Sequence, residues 1–377
     1  MSKDVESFPI EVSQADLDDL RQRLRRTRWP EAEPVADWSQ GIPLAYTQEL
    51  CRYWADDYDW RRCESMLMGF GSSRAVLDGL GIHFLHVRSP EEGALPLVLT
   101  HGWPGSVVEF HKVIGPLADP VAHGGDASDA FHIVCPALPG FGFSDKPTET
   151  GWGVERIAAA WAELMARLGY QRYGAQGGDW GASVTTALAA IDAASLAGIH
   201  VNMAIAFPSS TEDLTVQEQD ALEAMRHYDR WDSGYSKQQS TRPQTIGYGL
   251  VDSPSAQAAW IVEKFWSWTD CDGHPENVLS RDELLDNVSM YWLTRSGASA
   301  ARIYWESFNR PNLAPVEVPS GVTRFPREIF RPSRRWVEGR FTDLRYWSEP
   351  ERGGHFAAFE QPERFVEEVR TFFRLVR

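Results

Sequence analysis

This chain is poor in cysteine, in lysine and in long apolar runs, and each shortage removes a class of protein. Cys51, Cys63, Cys135 and Cys271 are the only cysteines among 377 residues, far apart and without a CxxC pair. A disulfide-stapled secreted domain would be shorter and denser in cysteine, so a reducing compartment, the cytoplasm, is expected. No run approaches the roughly 18 apolar residues of a membrane span. The start, Met1-Ser2-Lys3-Asp4-Val5-Glu6, does not read as a signal peptide. Residence in a membrane is therefore not expected. Lysine supplies five of the 37 basic side chains, against 53 acidic ones, for a net charge of −16. Such a surface repels nucleic-acid phosphates and anionic lipid, which leaves a small neutral molecule as the simpler partner. A homodimer stays open.

Several catalytic and cofactor signatures are missing as well. There is no GxSxG, Gly297-Ala298-Ser299-Ala300-Ala301 being only a loose match in a helical stretch. His83 and His86 lack the Glu and the spacing of HExxH, and no Cys/His cluster, phosphate loop or dinucleotide fingerprint occurs. Neither a metal nor a cofactor is expected.

What is present reads as a helical preface to an α/β core. Ser13 and Asp16 stand at capping spacing ahead of Leu17, Leu20 and Leu24, one face of an amphipathic helix over residues 13–27. A second helical stretch, rich in Trp and Tyr, covers residues 43–68, and the alternation of Ile82 to Val87 reads as a strand. Short apolar runs ending in glycine turns follow, Pro96 to Thr100 and Phe131 to Cys135, as buried parallel strands do. Helices over 154–168 and 181–193 alternate with further strands, which implies a largely parallel sheet covered on both faces. Residues 208–315 break this rhythm with Trp-, Tyr- and Pro-rich helical segments. The expected organisation is thus a helical N-terminal region (1–80), an α/β-hydrolase core in two parts (81–207 and 316–377) and an inserted helical lid (208–315). The last helix starts at Pro362 and aligns Phe365, Val366, Val369, Phe372, Phe373 and Val376; the loop near 118–130 is expected at the surface.

Gly177-Gly178-Asp179-Trp180-Gly181 has the small-x-nucleophile-x-small spacing of a strand-to-helix elbow, with Asp in place of Ser. A carboxylate, with a reference pKa of about 4, is ionised at neutral pH and needs no base to attack. A serine that displaced oxygen from a saturated carbon would end as an ether, whereas Asp gives an ester that water can cleave. The order nucleophile, acid, histidine places the base late, and His355 in Gly353-Gly354-His355-Phe356 falls between a strand and the last helix. Alone, Asp179 could be an Asx turn or helix cap, and His355 a hydrogen-bonded loop residue; their joint fit to one chain order favours catalysis. His101-Gly102-Trp103-Pro104-Gly105 ends the first core strand, where the Trp103 N–H could pair with that of Trp180 as an oxyanion hole.

Together these residues resemble the microsomal-type epoxide hydrolases of the α/β-hydrolase superfamily. Phe325-Pro326-Arg327-Glu328, Tyr291-Trp292-Leu293-Thr294 and Gly353 to Glu360 also look like that family's segments. The resemblance covers nearly the whole chain, the N-terminal anchor of membrane-bound members being the departure. It implies that Glu328 orients and charges His355, with Glu338 and Asp343 as rivals. It implies too that Tyr235 and Tyr304 protonate the epoxide oxygen, with Tyr248 and Tyr291 as competitors in the lid. The expected reaction turns a small apolar or aromatic epoxide and water into a vicinal diol through an Asp179 ester, for detoxification or secondary metabolism. A haloalkane dehalogenase, whose leaving halide needs N–H donors rather than an acid, and a non-catalytic binding protein on the same fold are the alternatives.

Overall fold

Leu97, Val98 and Leu99, like Ile133, Val134 and Cys135, are fully buried, because the strands they form are covered on both faces. In the computed structural model, which describes residues 5–377, nine strands make one sheet. Residues 1–4, most of the start inspected for a signal peptide, lie outside the described residues. The strands are β1 (Val5–Ser7), β2 (Ser72–Leu77), β3 (Leu80–Val87), β4 (Leu95–Thr100), β5 (Phe131–Pro136), β6 (Tyr173–Gly177), β7 (Leu196–Val201), β8 (Ser320–Thr323) and β9 (Leu344–Ser348). Their spatial order is β1-β2-β3-β5-β4-β6-β7-β8-β9. Pairing is antiparallel from β1 to β5 and parallel from β5 to β9.

Three helices precede the core, α1 (Gln14–Arg25), α2 (Leu44–Asp56) and α3 (Trp60–Gly69). Ser13 caps α1 by accepting the Asp16 N–H, and Leu17, Leu20 and Leu24 are its buried face. The helical stretch over 43–68 is divided into two helices, Asp59 capping α3 by accepting the Arg61 N–H. The helical reading of residues 1–80 also overlooks β1 and β2, which extend the core sheet. The first has three residues, and the second buries its side chains without a clean alternation, so neither offers a period-two signal.

Within the core, α5 (Val154–Arg167) packs on α6 (Asp179–Ile191), and α4 (His111–Ala118) packs on α15 (Pro362–Phe373). Phe365, Val366, Val369, Phe372, Phe373 and Val376 are all buried. The loop around 118–130 holds two short 3-10 turns and is less superficial than its composition implies, since Asp129 is buried and paired with Arg374.

Between β7 and β8 run α7 (Val216–His227), α8 (Gly234–Thr241), α9 (Pro243–Asp252), α10 (Pro254–Trp268), α11 (Arg281–Leu293) and α12 (Gly297–Ser307). Capping boxes start α7, at Thr215 and Glu218, and α11, at Ser280 and Glu283. Proline opens α9 and α10 in the first turn, where its missing N–H is not needed. Short helices α13 (Arg334–Glu338) and α14 (Ala357–Glu360) complete the chain. The N-terminal helices grip this helical layer through buried polar bonds: Trp54 Nε1 donates to Ser289 Oγ at 2.9 Å, and Tyr58 and Arg62 both donate to Asp286.

Candidate active site

Strand β4 lies between β5 and β6, so the chain order reverses there, and open α/β sheets leave a crevice beyond the carboxyl ends of strands at such a point. Both glycine-rich turns found in the sequence sit at it. After β6 the backbone passes through Gly178 into Asp179, whose φ of 49° lies in the left-handed region, and then directly into α6. A non-glycine residue there marks a strained, tightly specified turn. Neighbouring glycines make it sterically feasible. A β-carbon on Gly177 would strike the Gly181 backbone, one on Gly181 the Thr100 backbone, and one on Gly102 the Asp179 carboxylate. The two turns therefore interlock, and Trp103 N donates to Asp179 Oδ1 at 2.8 Å. The Trp180 N–H lies in the first turn of α6, where a helix offers it no intrahelical acceptor.

Glu328 and His355 are joined by backbone pairing one residue earlier on each segment, an isolated parallel bridge between Arg327 and Gly354. Their side chains consequently meet: His355 Nδ1 lies 2.6 Å from Glu328 Oε1. The other ring nitrogen, Nε2, is 3.5 Å from Asp179 Oδ2. All three groups are buried. Burial works against the imidazolium, but the Glu328 and Asp179 carboxylates outweigh it and hold His355 well above its usual range. Trp268 supports the ring, accepting the His355 N–H on its carbonyl at 2.8 Å and packing edge-on at 5.0 Å between centroids. The rivals for the acid stand elsewhere: Glu338 pairs with Arg334 and Asp343 with Arg345, all at least partly exposed.

Tyr235 and Tyr304 come together across an apolar chamber of about 400 Å³ whose wall includes Asp179 and Trp180. Their ring centroids are 5.7 Å apart, Trp103 stacks on Tyr235 at 4.8 Å and Trp180 meets Tyr304 edge-on at 4.9 Å. Burial first, then nearby groups including the Asp179 charge, pushes both phenols well above their ordinary range, so both keep their protons. Among the described residues the buried Tyr304 hydroxyl has no hydrogen-bond partner. Of the competitors, Tyr248 is 72% exposed, and Tyr291 donates to the Gly105 carbonyl at 2.7 Å, bracing the HGWPG turn.

Sequence reasoning missed three neighbours. Tyr228 shares a hydroxyl contact with Tyr235 at 2.9 Å; its spacing of seven residues was the available signal. Asp232 accepts from Lys264 Nζ and from Trp268 Nε1, each at 2.7 Å, which ties the segment bearing Tyr235 to the tryptophan behind His355. Glu109 lines one small cavity together with Asp179 and His355, and no motif announced it.

A strand-to-helix elbow on a largely parallel sheet, with acid and histidine following in chain order, defines the α/β-hydrolase class. Residues 96–235 match the family described as alpha/beta hydrolase fold, and residues 5–110 match the one described as epoxide hydrolase N terminus. The chain is 59% identical, over 98% of its length and 85% of the relative's, to a protein of Stigmatella aurantiaca provisionally named an epoxide hydrolase. It is 34% identical to epoxide hydrolase 1 of Sus scrofa, over 99% of this chain and 89% of the relative. The epoxide hydrolase structure of Aspergillus niger superposes with a TM-score of 0.90 at 31% identity, covering 100% of this chain and 97% of that one. The chain belongs to the epoxide hydrolase family. Among the described residues no helix is long and apolar enough to cross a membrane.

Proposed function

We propose that the chain converts a small apolar or aromatic epoxide to a vicinal diol in two steps, through an ester on Asp179. The arrangement that carries this reading is Asp179 set between a charged imidazole on one side and two protonated phenols on the other. In the first step Asp179 Oδ2 attacks an oxirane carbon while Tyr235 or Tyr304 donates a proton to the departing oxygen. The burial that raises the phenols raises the departing alkoxide too, and an alkoxide is ordinarily the stronger base, so transfer from a phenol favours ring opening. The Trp103 N–H on Oδ1 holds the other oxygen, where charge gathers when the ester is later attacked, and the Trp180 N–H is the second donor of that oxyanion hole.

Esterification removes the Asp179 charge, one of the causes that raise His355. The imidazole then releases its proton more readily and becomes the base that activates water, with Glu328 stabilising the cation formed. Thus the first step prepares the base for the second. Residues 208–315 act as the lid: they supply both phenols and Phe308 and, with Met203, Ile205 and Val316, the apolar wall that selects an apolar substrate. Opposite Asp179 stand phenols, which suits an oxygen leaving group better than the halide of a dehalogenase. Four free, buried cysteines support a cytoplasmic setting.

His355→Gln tests the scheme. Alkylation should survive while ester cleavage falls by about 10²–10⁴-fold, so intact mass should rise by one epoxide, mapped to Asp179. In the wild type, one turnover in ¹⁸O water should leave the heavy oxygen on Asp179 and none in the diol. Heavy diol in the first turnover, with Asp179 unlabelled, would mean direct attack by water.

A further inference from the structure

Asp179 also lines a second, smaller cavity. It measures about 20 Å³ and is lined by His355, Glu109, Asn202, Gly102 and Phe356 as well as Asp179. That is room for the centre of one water. Asp179 is the one residue this cavity shares with the substrate chamber, so the two meet at the nucleophile. Its lining is polar where a water needs partners. His355 presents Nε2 toward Asp179, and Asn202, whose Oδ1 accepts from Gln176 Nε2 at 2.9 Å, keeps its amide N–H groups as donors. Glu109 reaches in from the segment after the HGWPG turn and fills the space that a side chain at Gly105 would occupy.

We propose that this second cavity holds the water that cleaves the ester, and that Glu109 is its positioning residue, accepting one water hydrogen while His355 Nε2 takes the other. The inference rests on the two-step reading above. With both hydrogens engaged, a lone pair of the water is left to face Asp179 Cγ. Burial pushes the Glu109 carboxyl up to about 8, the His355 charge opposing the rise and the Asp179 charge adding to it. As a neutral acid the group offers a carbonyl oxygen that accepts, and it adds no negative charge beside Glu328. In the step itself the water oxygen bonds to Cγ as its proton passes to His355. The tetrahedral adduct expels the alkyl oxygen, which takes that proton from the imidazolium and leaves as the diol. Asp179 remains as the acid and passes its proton back to His355, whose own proton, released after ring opening, has already restored the phenol.

The test separates the two steps with styrene oxide as the probe, by stopped-flow tryptophan fluorescence and quenched intact mass. In Glu109→Leu, alkylation should stay within about threefold of wild type while ester decay slows by about 10–100-fold, the loss expected of one hydrogen bond to the attacking group. Glu109→Gln, which keeps an acceptor carbonyl, should restore decay to within about threefold. Should the Leu variant fail to fold, Glu109→Met carries the same expectation. Decay at the wild-type rate in Leu or Met, or equal slowing of both steps, would overturn the role of Glu109 and leave the ester mechanism standing. Absence of any ester on wild-type Asp179 would remove both.

Discussion

At the scale of single residues, the site works through contrasts in charge rather than through one unusual group. Asp179 and Glu328 are carboxylates flanking one imidazole, so His355 is held as a cation in the free enzyme and must lose that proton to act as a base. Since the ester has no charge at Asp179, the pH midpoint for ester decay should lie below the pKa of His355 in the free enzyme. An NMR titration of the His355 ring set beside single-turnover decay rates checks this; coincident midpoints would mean that Asp179 contributes nothing to the shift. In the proposed ring opening the phenols divide a different task. Tyr304 has an unengaged hydroxyl and Tyr235 one shared with Tyr228, so each can donate. Tyr304→Phe and Tyr235→Phe should each slow alkylation, and the double variant should lose about 10²–10⁴-fold. Wild-type alkylation in the double variant would place the acid elsewhere.

At the scale of elements, the two turns after β4 and β6 form one interlocked piece. Gly102→Ala adds a single carbon, but it would collide with the Asp179 carboxylate, and Gly181→Ala would push on the Thr100 backbone. Each should cost activity and about 1–3 kcal/mol of stability, because the carbon added at Gly102 also meets Asp179 Cβ, which no rotation of the side chain moves, and the one added at Gly181 meets backbone. Thermal unfolding measured beside alkylation checks both. Expression of both variants at wild-type stability and rate would show that the elbow tolerates a side chain.

At the scale of the whole molecule, the helical layer is held from two directions. Asp286 of α11 is buried and receives Tyr58 and Arg62 from the N-terminal helices; Arg62→Ala should therefore destabilise by about 1–3 kcal/mol through the partly unpaired carboxylate it leaves. Equilibrium unfolding in urea checks this. On the opposite side Glu218 of α7 is tethered to Ser333 and Arg335. Burial opposes its ionisation, yet the Thr215 N–H, Ser333 and Arg335 outweigh it and hold the carboxyl down at about 2 from 4.5. A depressed folded pKa contributes stability that is complete above about pH 4.5 and is lost as pH falls through about 2. The stability gap between wild type and Glu218→Gln should hence shrink across that window in acid-unfolding curves; a gap that stays constant would mean that the tether does not feel protonation.

Sequence alone determined what depends on residue type and chain order. Gly177, Asp179 and Gly181 announced an elbow because few backbones need glycine on both sides of a carboxylate, and a base late in the chain follows from the order of strands. Periodicity located α1 and α15 because their buried faces repeat at helical spacing, whereas β1 and β2 carried no such repeat and stayed hidden. Only the tertiary structure decided which acid meets His355. Glu328, Glu338 and Asp343 are equivalent as residues, and the bridge between Arg327 and Gly354 brings the first within 2.6 Å. It likewise separated Tyr235 and Tyr304 from Tyr248 and Tyr291, and it placed Glu109 in one cavity with Asp179. Those facts belong to distance and burial, which are created when segments far apart in the chain pack together, and no local pattern encodes them.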